Sequence, residues 1–299
     1  MQAVRPPWME RPSRLSNAGK AVLLAVVCII VIYPFLSVIA TSLANQEDVT
    51  NGGGMVLWPQ HPSLAAYKTI FSGGAVANSL WVSVGITVVG TLASVTVTAM
   101  LAYSISRPIV GGRVILVMAL LTLLFPPGII PSYLMVKQLG LLNTYAALIV
   151  PVVLNAFNLV VLRQFFINIP QELTDSARMD GAGDVTILLR IVLPLSKAVL
   201  AVIALFYAVT TYWNSFFQAL LYINDNAKWP LQLVARAYVL QGSPILGSVA
   251  YSVGGGPPPP PTQAIQMAVV VVAILPILVV YPFLQKYFTQ GVLSGAIKG

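Results

Sequence analysis

From Ala21 to Leu43 the chain carries no charged residue. A helix needs about 20 residues to cross the ~30 Å hydrocarbon layer of a bilayer. A secretory signal has a shorter apolar core and a small-residue cleavage site. The run is therefore read as a first transmembrane helix, bent near Pro34, whose missing N–H removes one helical hydrogen bond. Cys28 falls inside it and is read as a small buried apolar residue. A single cysteine gives neither an internal disulfide nor a thiolate metal site.

Five further runs have the same character, at about 78–104, 114–136, 145–165, 194–223 and 263–284. Of all residues, 58% are apolar and 8% charged, against roughly 25% charged in soluble domains. So few charges cannot cover a water-facing surface. Lipid offers no partners for free backbone groups, so each run must be helical. The expected fold is an all-α membrane protein of about six transmembrane helices, with the membrane domain over 21–285. Between the first two spans, Ala44–Ala77 reads as polar and irregular, with Ser63 capping a short amphipathic helix through Leu64, Tyr67 and Ile70. The loop from Asn224 to Thr262 contains Gly254 to Gly256 and then Pro257 to Pro261, a stiff polyproline II spacer. No internal repeat is visible, which argues against a secondary transporter built from inverted halves.

Six crossings put both termini on one side. That side collects 12 Lys and Arg: the basic tail 1–20, read as disordered, the 104–113 loop, the 166–193 region with its edges, and the tail 286–299. The opposite side has only Lys68, Lys137, Lys228 and Arg236. The positive-inside rule makes the richer side cytoplasmic. The net charge of +8 is thus an orientation signal and not a nucleic-acid footprint.

All eight acidic residues, Glu10, Glu47, Asp48, Glu172, Asp175, Asp180, Asp184 and Asp225, fall in tails or loops. No catalytic or metal cluster forms, which counts against a membrane-embedded enzyme. A proton-coupled transporter would want ionisable groups inside the spans. His61 sits in a Trp-Pro-Gln-His-Pro loop, and one imidazole makes no metal site.

The most charged stretch is 169–184, Ile-Pro-Gln-Glu-Leu-Thr-Asp-Ser-Ala-Arg-Met-Asp-Gly-Ala-Gly-Asp. Pro170 suits a first helical turn, and Glu172 and Asp175 lie at the positive end of the helix dipole. Arg178 can pair with Asp175 three residues back. Ala177 permits close approach of a partner. Asp180-Gly181 stops the helix, with glycine able to turn left-handed. A second helix begins near Asp184, and Pro194 opens the next span. The expectation is a short helix, a sharp turn and another helix, which is either a docking surface for a soluble partner or a solvated connection.

Pro170-x-Glu172-Leu-x-x-x-Ala177-x-x-Asp180-Gly181-Ala182, followed by Leu193-Pro194, resembles the coupling motif of ABC importer permeases. The motif is named for a Glu-Ala-Ala triplet, where this chain has Asp175-Ser176-Ala177. Tyr33-Pro34-Phe35, Gly140-Leu-Leu-Asn143-Thr, Tyr212-Trp213-Asn214, Tyr281-Pro282-Phe283 and the ending Gly295-Ala-Ile-Lys-Gly299 extend the likeness over nearly the whole chain. Together they resemble the sugar-importer branch, similar to maltose-type permeases and within it to an LplC- or YtcP-like group.

The resemblance implies a type I importer permease fold in the bacterial cytoplasmic membrane, multi-pass, with both termini cytoplasmic. It implies pairing with a second permease as a heterodimer, two cytoplasmic ATPase subunits and an extracytoplasmic solute-binding protein. Glu172, Asp175, Ala177, Arg178, Asp180 and Gly181 would then form the coupling helix seated in the ATPase. ATP and Mg would be held by those partners, since no G-x-x-x-x-G-K-[ST] loop occurs here. Oligosaccharide, disaccharide and uronate-containing substrates all fit. In the fifth span Tyr207, Thr211, Asn214 and Gln218 fall on one face at helical spacing, with Trp213 beside them. Aromatic faces stack on sugar rings and amides bind hydroxyls, so this face is either a substrate pathway or a set of interhelical hydrogen bonds with an interfacial aromatic belt. Asn155 and Asn158 are secondary pathway candidates.

Overall fold

The computed structural model describes residues 14–72, 74–241 and 260–296, with side chains over 15–72, 74–240 and 260–282. The basic stretch through residue 13, the run 254–259 with most of the prolines, and residues 297–299 lie outside the described residues, as do the side chains of the C-terminal tail. The regular elements among the described residues are all helical, with no strand. In order come α1 (Arg14–Ser42), α2 (Gln46–Asn51), α3 (Ala65–Ser72), α4 (Ala75–Ser106), α5 (Gly112–Leu124), α6 (Ile129–Gln138), α7 (Ala146–Ile149), α8 (Ala156–Ile167), α9 (Gln171–Met179), α10 (Asp184–Ile187), α11 (Leu193–Leu195), α12 (Lys197–Phe206), α13 (Phe216–Tyr222), α14 (Leu231–Gln241) and α15 (Thr262–Ala296). They fall into two compact units.

The first unit holds α1, α2, α3 through Thr69, and the start of α15 through Val271. Arg14–Lys20, expected in a disordered tail, forms the opening turns of α1. No proline follows Pro12 there, and a helix already nucleated extends cheaply. Pro34 lies inside α1. Cys28 is exposed and not buried, because α1 is apolar all round and only 6% of its most apolar window is buried. Hydrocarbon satisfies such a surface as well as a core does. The stretch expected to be irregular contains α2, capped by Asn45 Oδ1 accepting from the Asp48 N–H at 2.7 Å. Asp48 in turn accepts from the His61 N–H (3.1 Å). Ser63 Oγ accepts from the Ala65 N–H (3.2 Å) at the start of α3, as its sequence position suggests.

The second unit runs from Ile70 and includes α4 to α14 and the rest of α15. Its spine is α4. Ser79, Ser83, Gly90, Ser94 and Thr98 recur every three to four residues or a multiple of that and are buried on one face. Small side chains let helices approach closely where no hydrophobic force drives them together, and their hydroxyls supply hydrogen bonds. Ser94 shares a hydrogen bond with the Tyr212 hydroxyl (2.6 Å), and Thr98 with that of Tyr207 (2.8 Å). The two tyrosine rings stack at 6.5 Å. Ser83 Oγ accepts from the Leu231 N–H (2.7 Å), fastening α14.

Three described helices are long and apolar enough to cross a membrane: Leu15–Ser42, Ala75–Ser106 and Thr262–Pro282. The single span expected over 114–136 is two helices, α5 and α6. Pro126 and Pro127 carry no N–H, and Gly128 takes φ 78°, so the first helix ends at Leu124. The span expected over 145–165 bends by 53° between Val152 and Ala156. Pro194 does not open a new span: the run Asp184–Leu195 continues past it and meets Lys197–Trp213 at 85°. Proline cannot donate to the carbonyl four residues back, and a π-helical turn, Leu188–Val192, lies just before it. Proline and π turns are the usual causes of such kinks. The loop expected from Asn224 contains α14. Its start is fixed by Asn143, left-handed at φ 61°, whose Oδ1 accepts from the N–H groups of Asn224 (3.2 Å) and Asp225 (3.0 Å).

Candidate functional site

The stretch 170–187 forms the expected hairpin, and its turn is closed by backbone geometry. Gly181 sits at φ 83°. Its N–H donates to Arg178 O (3.0 Å), and the Ala182 N–H donates to Ala177 O (2.9 Å). These two bonds form the Schellman ending that a left-handed glycine makes possible. Asp180 is the residue capping α9. α10 follows after Gly183.

Arg178 does not pair with Asp175. Its Nη2 donates to Asp184 Oδ1 at 3.1 Å, across the turn. The turn reverses the chain and brings α10 within reach, which spacing along one helix does not reveal. That hydrogen bond holds the Arg178 guanidinium above its ordinary pKa. Ala177 is half-buried and packs on this chain's own core, so its small size serves the hairpin's seating. Glu172 is exposed.

Two residues whose places in the sequence mark only an orientation charge and a loop position secure the hairpin at its root. Thr174 is 1% exposed. Its hydroxyl lies 3.4 Å from Nη1 of Arg107, just beyond α4. Arg107 also stacks over the Tyr103 ring, 5.2 Å from its centroid. The only sequence signal is an arginine directly after a span.

The fifth-span residues do not share one face. Tyr207 is fully buried; its hydroxyl bonds Thr98 and accepts from the Asn155 N–H (2.9 Å). Trp213 is buried, and its indole N–H donates to Ala273 O (3.1 Å). Thr211 and Gln218 are half-buried, and Asn214 is exposed. The reason is that Tyr207–Trp213 is π-helical. A wider turn takes more residues, so positions 207 and 214 fall out of the 3.6-residue phase. Of the secondary pathway candidates, Asn155 caps α8 through the Asn158 N–H (3.1 Å), and Asn158 is buried.

A helical chain of apolar spans that projects one braced, charged hairpin has the architecture of a membrane transport subunit. No family model matches the chain. It is 46% identical over 282 residues to the polygalacturonan/rhamnogalacturonan transport system permease protein YtcP of Bacillus subtilis (strain 168), covering 94% of this chain and 96% of that one. It is 45% identical over 273 residues to protein LplC of the same organism, covering 90% of each. A chain from the crystal structure of a bacterial ABC transporter involved in the import of the acidic polysaccharide alginate superposes with a TM-score of 0.84. That match has 28% identity and covers 95% of this chain and 100% of that one. The chain belongs to the permease family of ABC sugar importers. YtcP is, by name, a transport permease.

Proposed function

We propose that this permease pairs with a second, related permease and lines the route by which a carbohydrate enters the cell. Two cytoplasmic ATPase subunits, carrying ATP and Mg, grip the hairpin, and an extracytoplasmic binding protein delivers the substrate. The chain lies in the bacterial inner membrane with both termini and the hairpin cytoplasmic, as its Lys and Arg distribution favours. The observation that carries this reading is the hairpin. It is exposed and charged, closed by the left-handed Gly181, stapled by Arg178 and Asp184, and seated on the core through Thr174 and Ala177. A stiff projection of this kind transmits rigid-body motion between two packed states.

The substrate is an oligosaccharide containing uronate units. The names of YtcP and of the alginate importer support this, since each concerns an acidic polysaccharide. Asn214 and Gln218 contact it, with Thr211 beside them. Neither amide has a hydrogen-bond partner among the described residues, and unpartnered polar groups in a membrane span mark a pathway. Tyr207 and Trp213 hold that helix in place.

The test uses the assembled importer in proteoliposomes. Glu172→Lys should leave membrane insertion intact and uncouple ATP hydrolysis from uptake. Unchanged ATPase docking and coupling would remove Glu172 from the interface. Asn214→Ala and Gln218→Ala should lower uptake of labelled oligogalacturonide, and normal uptake in both would remove the pathway assignment.

A further inference from the structure

The loop after α1 folds back on that helix and encloses a cavity. Gly53 and Gly54 turn the chain with φ 65° and 103°. Thr41 then holds Val56 by both backbone groups: the Val56 N–H donates to Thr41 Oγ1 (2.9 Å), and that hydroxyl donates to Val56 O (3.3 Å). Further on, the Ser63 N–H donates to Leu43 O (2.7 Å). The cavity between the loop and the C-terminal half of α1 has a volume of about 330 Å³. Tyr33 and Ser37 line it from α1, and Asp48, Asn51, Trp58 and Gln60 from the loop. All of them belong to the first compact unit.

Most of these groups are open to a ligand. Trp58 is 85% exposed, and Tyr33, Asn51 and Gln60 are exposed as well. Ser37 is only 4% exposed. Among the described residues, neither its hydroxyl nor the Asn51 and Gln60 amides have a hydrogen-bond partner. Buried Asp48 spends one carboxylate oxygen on the His61 N–H (3.1 Å). Its other oxygen lies 3.8 Å from His61 Nδ1, too far for a hydrogen bond, and is left to accept.

This chemistry narrows the ligand. Hydroxyls and carboxamides both donate and accept, which matches the hydroxyls of a sugar. The two aromatic rings offer apolar faces for stacking. Apolar faces with a few convergent polar groups, in a cavity of this size, are the usual make-up of a small-ligand site. A cation would find one carboxylate already engaged by His61. An anion would meet that carboxylate with no cation in the lining to offset it.

We propose that this cavity is a subsite for a neutral pyranose unit of a carbohydrate. Trp58 stacks on the ring, Ser37, Asn51 and Gln60 exchange hydrogen bonds with its hydroxyls, and Asp48 accepts from one of them. The Asp48 charge turns away a uronate at this position, so the subsite selects the units of a mixed chain that lack a carboxylate. The inference rests on the carbohydrate route and the orientation proposed above, which put this end of α1 outside the cell.

The full-length permease in nanodiscs is titrated calorimetrically with an oligogalacturonide and with the same oligomer after its carboxyls are reduced to alcohols. The reduced, neutral oligomer should bind roughly tenfold more tightly, since like charges brought together are costly. Trp58→Ala, at an exposed position where the fold should not depend on it, should weaken that binding roughly tenfold. Asp48→Asn still offers an acceptor to the His61 N–H and should close the gap between the two oligomers. Equal binding of both oligomers by the wild type, or unchanged binding in Trp58→Ala, overturns the proposal. An assembled importer that takes up sugar while the permease alone binds neither oligomer overturns this inference and leaves the transport reading standing. Binding here without uptake does the reverse. If the permease binds no sugar and Trp58→Ala instead loosens the binding protein, the cavity belongs to that partner and the proposal falls.

Discussion

The Tyr212 ring lies so close to the backbone of Gly90 that a Cβ at position 90 would stand 2.5 Å from its Cε1 atom. Hydrogen is the only side chain this contact admits, and the contact sets how near the π-helical segment comes to α4. Gly90→Ala should therefore destabilise the permease by about 1–3 kcal/mol through overpacking, seen as a lower midpoint in thermal unfolding of the purified protein. Gly85→Ala, with nothing within 4 Å, is the control and should be neutral or slightly stabilising. Equal midpoints for the two variants would mean that the helices sit further apart in the bilayer.

Tyr207 offers a second test of the same interface. Its hydroxyl serves both Thr98 and the backbone N–H of Asn155. Tyr207→Phe keeps the packing and strands both partners, at a cost of about 1–3 kcal/mol. Thr98→Ala leaves the Asn155 N–H its acceptor and should cost less. The reverse order in thermal unfolding would show that the Asn155 bond does not hold α8.

Gly181→Ala places a Cβ at φ 83°, at a cost of about 1–2 kcal/mol. The spans should still insert, while hydrogen exchange speeds up across 171–187 and coupled uptake falls. Gly181→Asn should be milder, because asparagine tolerates the left-handed region. Normal exchange in the alanine variant would show that the hairpin does not depend on this turn.

The Arg178–Asp184 staple is strong in geometry and weak in energy. Its side chains are 49% and 70% exposed, and solvent and salt screen such exposed pairs so that they contribute little. Asp184→Asn should lower the unfolding midpoint slightly at low salt and not at all at about 1 M salt, where screening is short-ranged. A large, salt-independent loss would mean that the pair is buried against a partner.

Asn143 combines two duties, a left-handed backbone and an acceptor for two N–H groups. Asn143→Gly keeps the first and loses the second; Asn143→Ala loses both. Thermal unfolding should rank wild type above Gly above Ala. Equal variants would show that backbone strain contributes nothing at this corner.

Much of the hairpin is legible in the amino-acid order, because its signals are local. A helix start at Pro170, Glu172 in the first turn, a stop at Asp180-Gly181 and a restart at Asp184 all act within a few residues. The partner of Arg178 is not legible there. Spacing along one helix points to Asp175, and the carboxylate that Arg178 takes comes near only once the chain has turned. The same holds for Arg107 and Thr174, which are 67 residues apart in sequence and meet only when α4 and α9 are packed.

The sequence alone determined that this protein lives in lipid, that its apolar runs are helices, and that one charged hairpin projects from them. Those conclusions rest on the solvation of side chains and backbone, which composition and local order fix. Tertiary packing decided where those helices break and how they wind. Pro126, Pro127 and Pro194 mark breaks that the sequence shows, but the π-helical turn at Tyr207–Trp213 lies where its tyrosines pack against the face of small residues on α4. That fit buries Tyr207 in the core and leaves Asn214 exposed, because a wider turn changes which side of a helix each residue occupies.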